Sequence, residues 1–151
     1  MKISNNDLLR YSKQIVLKQV GILGQKKISS AKVLIVGMGG LGCPLTLYLS
    51  SLGIKNIGIV DYDKVDFSNL NRQILFNATD IGKFKVVQAK KFIKKINKTI
   101  KINIYKEKII KKNIKNILNK YDIICDCSDN FTTRYLLNDF CLKNKKILIS
   151  A

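Results

Sequence analysis

Residues 33–45 read VLIVGMGGLGCPL, and the reading of this stretch decides the fold. The unbroken apolar run up to Val36 suits a strand buried on both faces, because a half-exposed strand would alternate. Gly37, Gly39 and Gly42 then spell G-x-G-x-x-G ahead of a helix that carries Pro44 in its first turns. The first glycine permits a tight turn, the second lets a phosphate approach the backbone, and the third lets helix pack on strand. The N-terminus of that helix offers unpaired N–H groups and the positive end of its dipole. Asp61 ends the next apolar segment, where a carboxylate is placed to hydrogen-bond ribose hydroxyls. The pattern predicts a nucleotide site without choosing among NAD, FAD and ATP.

Outward from this turn, strands and helices alternate. A helix from about Gly40 to Leu52, capped by Gly53, leads to the strand KNIGIVDYD. A helix from about Lys83 to Asn97 gathers Val86, Ala89, Phe92, Ile93 and Ile96 on one side and leads to the strand TIKINIYKE. A short helix in NIKNILNK, the strand YDIICDCS, a helix in NFTTRYLLNDFCLKN and a last strand KKILISA follow. Such alternation implies βαβ units, hence an α/β, Rossmann-like parallel sheet of about five strands with flanking helices and a ligand site beyond the strand C-termini. At the N-terminus, NDLLRYSKQIVLKQ places Leu8, Leu9, Ser12, Ile15 and Val16 near helical spacing and predicts one amphipathic helix. Residues 62–82, YDKVDFSNLNRQILFNATDIG, form a long polar loop, and loops of that length in compact domains are usually functional.

Bulk composition agrees with a single globular domain spanning 1–151. The chain is 46% hydrophobic and 25% charged, and a domain of this size buries roughly 70% of its unfolded surface. No apolar run reaches the roughly 20 residues that span a bilayer, and MKISNNDLLRYSKQ lacks the apolar core of a secretory signal. A cytoplasmic protein with no membrane partner is expected. Net charge is +18, but the lysines alternate with core residues in pieces such as KKFIKKINK, so a solvated basic face is expected rather than a nucleic-acid interface. The absence of histidine rules out a histidine base or a Ser-His-Asp triad within the chain. The four cysteines form no CxxC pair and are read as packing thiols in a reducing compartment, so no zinc site is expected.

Chemistry follows from what lies beyond the strand ends. Asn69, Arg72 and Lys85 follow the Asp61 strand, and Asp129 and Asn130 follow the fourth strand. Two cations, an amide and a carboxylate around a phosphate-binding turn suit displacement at phosphorus better than hydride transfer. Positive charge stabilises leaving phosphates and a carboxylate can hold Mg²⁺.

The set RYSKQ, VLIVGMGGLGCPL, VDYDKVDFSNLNRQILF, DIGKFK, CSDNFTTRYLLND and LISA resembles the ThiF/MoeB/HesA family, relatives of ubiquitin-activating enzymes, from about Asp7 to Ala151. The resemblance implies ATP as the nucleotide. It also implies a nucleotidyltransferase, an adenylyltransferase that adenylates the C-terminal Gly-Gly carboxylate of a ubiquitin-like sulfur carrier protein. That reaction serves thiamine or molybdopterin synthesis, with QILFNATDIG and RYSKQIVL leaning to the thiamine branch. By resemblance, Gly40 and Asp61 bind ATP, Asp61 through the ribose. The block Ser68, Asn69, Leu70, Asn71 and Arg72 lines the nucleotide, with Asn69, Arg72 and Lys85 on the phosphates. Asp129 holds Mg²⁺, and Asn130 stands beside the nucleotide. Catalytic roles fall to Arg72, Lys85 and Asp129. Lys13 stands where the family has an arginine that reaches the neighbouring subunit's ATP in a homodimer; lysine keeps the charge but not the bidentate geometry. The family continues past the position of Ala151 with further strands, a carrier-binding surface and a paired CxxC zinc site, so a C-terminally shortened domain is expected. Two alternatives stand beside this reading: a non-catalytic ATP-binding module that needs a partner, and an NAD-dependent oxidoreductase.

Overall fold

A computed structural model describes residues 3–150. Five parallel strands form one sheet in the order β3-β2-β1-β4-β5, with β1 at Lys32–Val36, β2 at Asn56–Val60, β3 at Lys101–Tyr105, β4 at Ile123–Asp126 and β5 at Ile147–Ser150. The α/β, Rossmann-like expectation is met, while Ala151, the last residue of the fifth predicted strand, lies outside the described residues.

The apolar continuity of β1 has its cause in the two layers around it. Val33 and Ile35 face one cluster with Ile57 and Ile59, covered by α4 (Gly42–Leu52) and α5 (Lys85–Ile96). Leu34 and Val36 face the other with Val60 and Ile124, covered by α6 (Ile114–Leu118) and α7 (Phe131–Lys143). Helix α5 buries Val86, Ala89 and Ile93 and leaves Lys90, Lys91 and Lys95 to solvent, so these three lysines form its solvated face. Cys43, Cys125 and Cys127 pack with the first cluster and Cys141 with the second.

Two expectations are corrected at the N-terminus. The single amphipathic helix is two short ones, α1 (Asn5–Arg10) and α2 (Ser12–Ile15), separated at Tyr11. Leu9 and Val16 are 79% and 76% exposed; the buried anchor is Tyr11 itself, whose ring touches Gly53 and whose hydroxyl accepts a hydrogen bond from Asn97 Nδ2 at 3.2 Å. A further helix, α3 (Gly21–Ser30), escapes the sequence reading. Two glycines weaken its propensity, and its buried residues are the polar Gln25 and Ser29, so no apolar stripe announces it. Gln25 Nε2 instead donates to the Leu52 carbonyl at 3.2 Å, and Gln14 Nε2 donates to Gln25 Oε1 and, at 2.9 Å, to the same carbonyl.

Candidate active site

Val36, Val60 and Asp126 end β1, β2 and β4 side by side. The chain leaves β1 toward β2 and leaves β4 toward β5, so connections diverge between two adjacent strands, the place where doubly wound sheets bind ligands. A cavity of about 770 Å³ opens there.

The glycine turn forms its floor. Gly37 has φ +93°, and a Cβ on it would stand 2.6 Å from the Cys127 carbonyl oxygen. One on Gly42 would stand 2.0 Å from the Gly37 carbonyl oxygen, so Gly42 serves the turn's packing and does not line the cavity. A Cβ on Gly39 would meet nothing within 4 Å, which leaves that backbone open to a ligand. Leu41 caps α4 without a side-chain acceptor, so the helix's positive end faces the cavity uncovered.

Asp61 is 8% exposed, and its Oδ2 accepts the Met38 N–H at 2.6 Å while Oδ1 accepts the Asp63 N–H at 2.7 Å. Burial pushes its carboxyl above the usual range, opposed by these two hydrogen bonds. The carboxylate thereby ties the end of β2 to the glycine turn and points one edge at the cavity.

The long loop of residues 62–82 is ordered by two capping boxes, Asp66 with Asn69 and Asn77 with Asp80, each around a single turn of 3₁₀ helix. The first brings Ser68, Asn69 and Arg72 to the cavity wall. Arg72 Nη1 donates to the Ser68 carbonyl at 3.2 Å and to Asn71 Oδ1 at 3.0 Å, and its stem lies against Gly40, within 3.5 Å of where a Cβ would sit. Asn71 therefore braces Arg72 without lining the cavity, and Leu70 packs into the core beneath. Lys85 opens α5, is 6% exposed and reaches Asp63 Oδ2 at 3.3 Å. Asp129 and Asn130 line the opposite wall; Asp129 is exposed, and Asn130 Oδ1 accepts the Thr133 N–H at 2.9 Å to cap α7. Lys13 is exposed on α2 and lies outside this cavity.

Several lining residues were not singled out from the sequence. Asp63, the ion-pair partner of Lys85, carried a usable signal as a carboxylate just past a strand end. Ser128 and Arg134 line the cavity, and beside them Asp126 is fully buried at the end of β4. Their pairing depends on how α7 lies over the sheet, which spacing does not reveal. Burial pushes the Cys127 thiol up to about 12 and the Cys43 thiol up to about 11, so neither is a thiolate near neutral pH.

No group of three or more His, Cys, Asp or Glu gathers as a metal cage among the described residues. A cation in this cavity would be held by the exposed Asp129 carboxylate, which makes no hydrogen bond or ion pair within the described residues, together with phosphate oxygens. Mg²⁺ is commonly bound in that manner.

The chain is 45% identical over 150 residues to the adenylyltransferase and sulfurtransferase MOCS3 of Culex quinquefasciatus, covering 99% of this chain and 34% of that protein. It is 46% identical over 149 residues to MOCS3 of Xenopus laevis, covering 99% and 33%. It therefore spans about a third of the length of these relatives. Among solved structures it superposes on E. coli MccB with ATP at a TM-score of 0.85 and 30% identity, over 94% of this chain and 44% of that one. On E. coli TcdA, a tRNA N6-threonylcarbamoyladenosine dehydratase in complex with ATP, the TM-score is 0.92 at 24% identity over 99% and 61%, a likeness of fold. The ThiF family pattern matches residues 11–151, and the chain belongs to the ThiF family.

Proposed function

We propose that this chain binds ATP·Mg²⁺ and adenylates the C-terminal carboxylate of a ubiquitin-like sulfur carrier protein ending in Gly-Gly. One observation carries the reading: the open glycine turn, Asp61, Arg72, Lys85 and Asp129 meet in one cavity at the topological switch point. The names of the relatives join adenylyl transfer to sulfur transfer, and MccB has been seen with ATP, which supports the same assignment.

In this reading Asp61 accepts the ribose hydroxyls, while the Gly39–Gly40 backbone and the uncovered end of α4 hold the phosphates. The substrate's carboxylate oxygen attacks the α-phosphorus, the bond to the bridging oxygen breaks, and pyrophosphate leaves with the electron pair. The nucleophile arrives ionised, so no general base is required and a chain without histidine is sufficient. Arg72 and Lys85 stabilise charge as the pyrophosphate departs; cations in comparable positions contribute about 10³–10⁵ in rate. When bound, Mg²⁺ at Asp129 supplies further positive charge to the phosphates. Arg72 keeps its fork available because its present acceptors are one backbone carbonyl and one side-chain amide, both on a single guanidinium nitrogen.

ATP–pyrophosphate exchange by the purified chain, with and without a carrier ending in Gly-Gly, tests the proposal. Carrier-dependent exchange is expected, lost in Arg72→Ala and in Asp129→Ala while their circular dichroism stays that of the parent. ATP binding without exchange would favour the binding-module reading, consistent with a chain that spans a third of its relatives. Near-normal turnover in either variant would remove that residue from its role.

A further inference from the structure

At the edge of the cavity the buried Asp126 pairs with the partly exposed Arg134, a contact that no step above uses. Asp126 is 0% exposed, and its Oδ1 accepts both the Ser128 N–H at 3.0 Å and the Ser128 Oγ–H at 2.6 Å. Its Oδ2 accepts from Ser150 Oγ at 3.2 Å and lies 3.6 Å from Nε of Arg134. From the second turn of α7, Arg134 reaches back and donates through Nη2 to the Ser128 carbonyl at 3.3 Å. The two peptide groups flanking Ser128 are thus both tethered, one N–H by Asp126 and one C=O by Arg134. Asn130 is fixed in turn by capping α7. Asp129 is the single residue between these two fixed points, and its own carboxylate is exposed.

We propose that the Asp126–Arg134 pair is a positioning device that aims the Asp129 carboxylate at the cation bound with the nucleotide, an inference that rests on the ATP·Mg²⁺ reading of the cavity. A carboxylate buried in an ion pair is weak evidence for stability, since an apolar side chain of similar volume serves a core at least as well; its use here is to fix one conformation. The contacts suit such a purpose, because two of them run to the backbone N–H and C=O of Ser128, the residue before Asp129. Partners that orient a metal ligand typically matter by 10–100-fold in metal affinity when removed.

Calorimetric titration of the chain with ATP, in the presence and in the absence of Mg²⁺, separates this role from a general structural one. The parent chain is expected to bind ATP more tightly with Mg²⁺, and Asp129→Asn to lose that enhancement. Asp126→Asn, isosteric and at a carboxylate that does not line the cavity, is expected to fold, to keep its metal-free affinity for ATP, and to lose at least about tenfold of the Mg²⁺ enhancement. Arg134→Lys, which keeps the charge opposite Asp126 but not the reach to the Ser128 carbonyl, should lose less of that enhancement than Arg134→Gln. The Asp129→Asn/Asp126→Asn double variant should lose no more than Asp129→Asn alone, as residues acting through one another do. Should Asp126→Asn melt below the assay temperature, the two Arg134 variants carry the expectation for the Mg²⁺ enhancement. A folded Asp126→Asn with the parental Mg²⁺ enhancement overturns this inference alone, as does an equal fall in its affinity with and without metal. A parent chain that binds ATP no better with Mg²⁺ overturns the assignment of Asp129, and this inference with it.

Discussion

The three glycines of the turn have separable costs at the scale of single residues. Gly37→Ala would strain a backbone at φ +93° and drive a methyl to 2.6 Å from a carbonyl oxygen, and Gly42→Ala would press one to 2.0 Å from another. At Gly37 left-handed strain alone costs on the order of 1–3 kcal/mol, and at Gly42 the backbone clash must be relieved by a shift of the turn, so both variants should show urea midpoints well below that of the parent. Gly39→Ala has open space around its methyl and should unfold near the parental midpoint. Its expected loss is in ATP affinity, because the methyl stands where a phosphate would approach the backbone. A Gly39→Ala variant that binds ATP normally would place the phosphates elsewhere in the cavity. Lys85 presents a different balance. Its ammonium is buried against Asp63, so Lys85→Met should fold, keep ATP binding weakened, and lose pyrophosphate exchange if the charge acts on the departing phosphates.

At the scale of elements, two of the ties between the N-terminal helices and the rest of the fold are readily testable. Tyr11 is 2% exposed, and truncating a buried aromatic costs about 3–5 kcal/mol, so Tyr11→Ala should lower the urea midpoint markedly. Another tie is the ion pair of Asp7 with Lys55 at 2.7 Å. The hydrogen bond from Lys55 holds the Asp7 carboxyl below its ordinary value of 3.8, against a smaller opposing effect of burial. A carboxyl with a depressed folded-state pKa adds stability above the unfolded value of 3.8, and that contribution is lost as pH falls through the folded-state pKa. The parent and Asp7→Asn chains should therefore differ by about 0.2–1 kcal/mol near pH 6 and converge as the pH is lowered below 3.8. Urea unfolding at several pH values measures this, and a difference that persists in strong acid would assign the effect to packing.

Across the whole molecule, 28 basic residues stand against 10 acidic ones, a net charge of +18. Self-repulsion on that scale opposes the compact state and is screened within about 10 Å at 0.1 M salt. Sodium chloride is therefore expected to raise the melting temperature, although the exposed ion pairs taken singly would weaken. A flat or falling dependence would mean that the lysines are too dispersed to destabilise one another. No helix among the described residues is long and apolar enough to cross a membrane. The same charge also suits a cavity for a polyanion: ATP at about 100 times its dissociation constant should add roughly 2.7 kcal/mol to unfolding. That gain should shrink in salt while the ligand-free chain grows more stable, and parallel melts with and without ATP separate the two trends.

The strands, the glycine turn and the positions beyond the strand ends were legible in the amino-acid sequence because each is a local pattern. A two-sided strand is a continuous apolar run, and a tight turn needs glycine at fixed offsets. Tertiary structure alone decided the features that join elements distant along the chain. The strand order put β4 between β1 and β5 and so brought Asp129 opposite Arg72 across one cavity. Lys85 met Asp63 across 22 residues, and Arg134 met the buried Asp126 only once α7 lay against the sheet. Helix α3 was invisible for the same reason: its buried residues are polar, and Gln25 converges with Gln14 on a carbonyl of α4, a contact with no periodicity to announce it. Hydrophobic pattern sets which segments are strands and helices. The reach of individual side chains across the assembled sheet sets which charges meet, because those meetings join segments far apart along the chain.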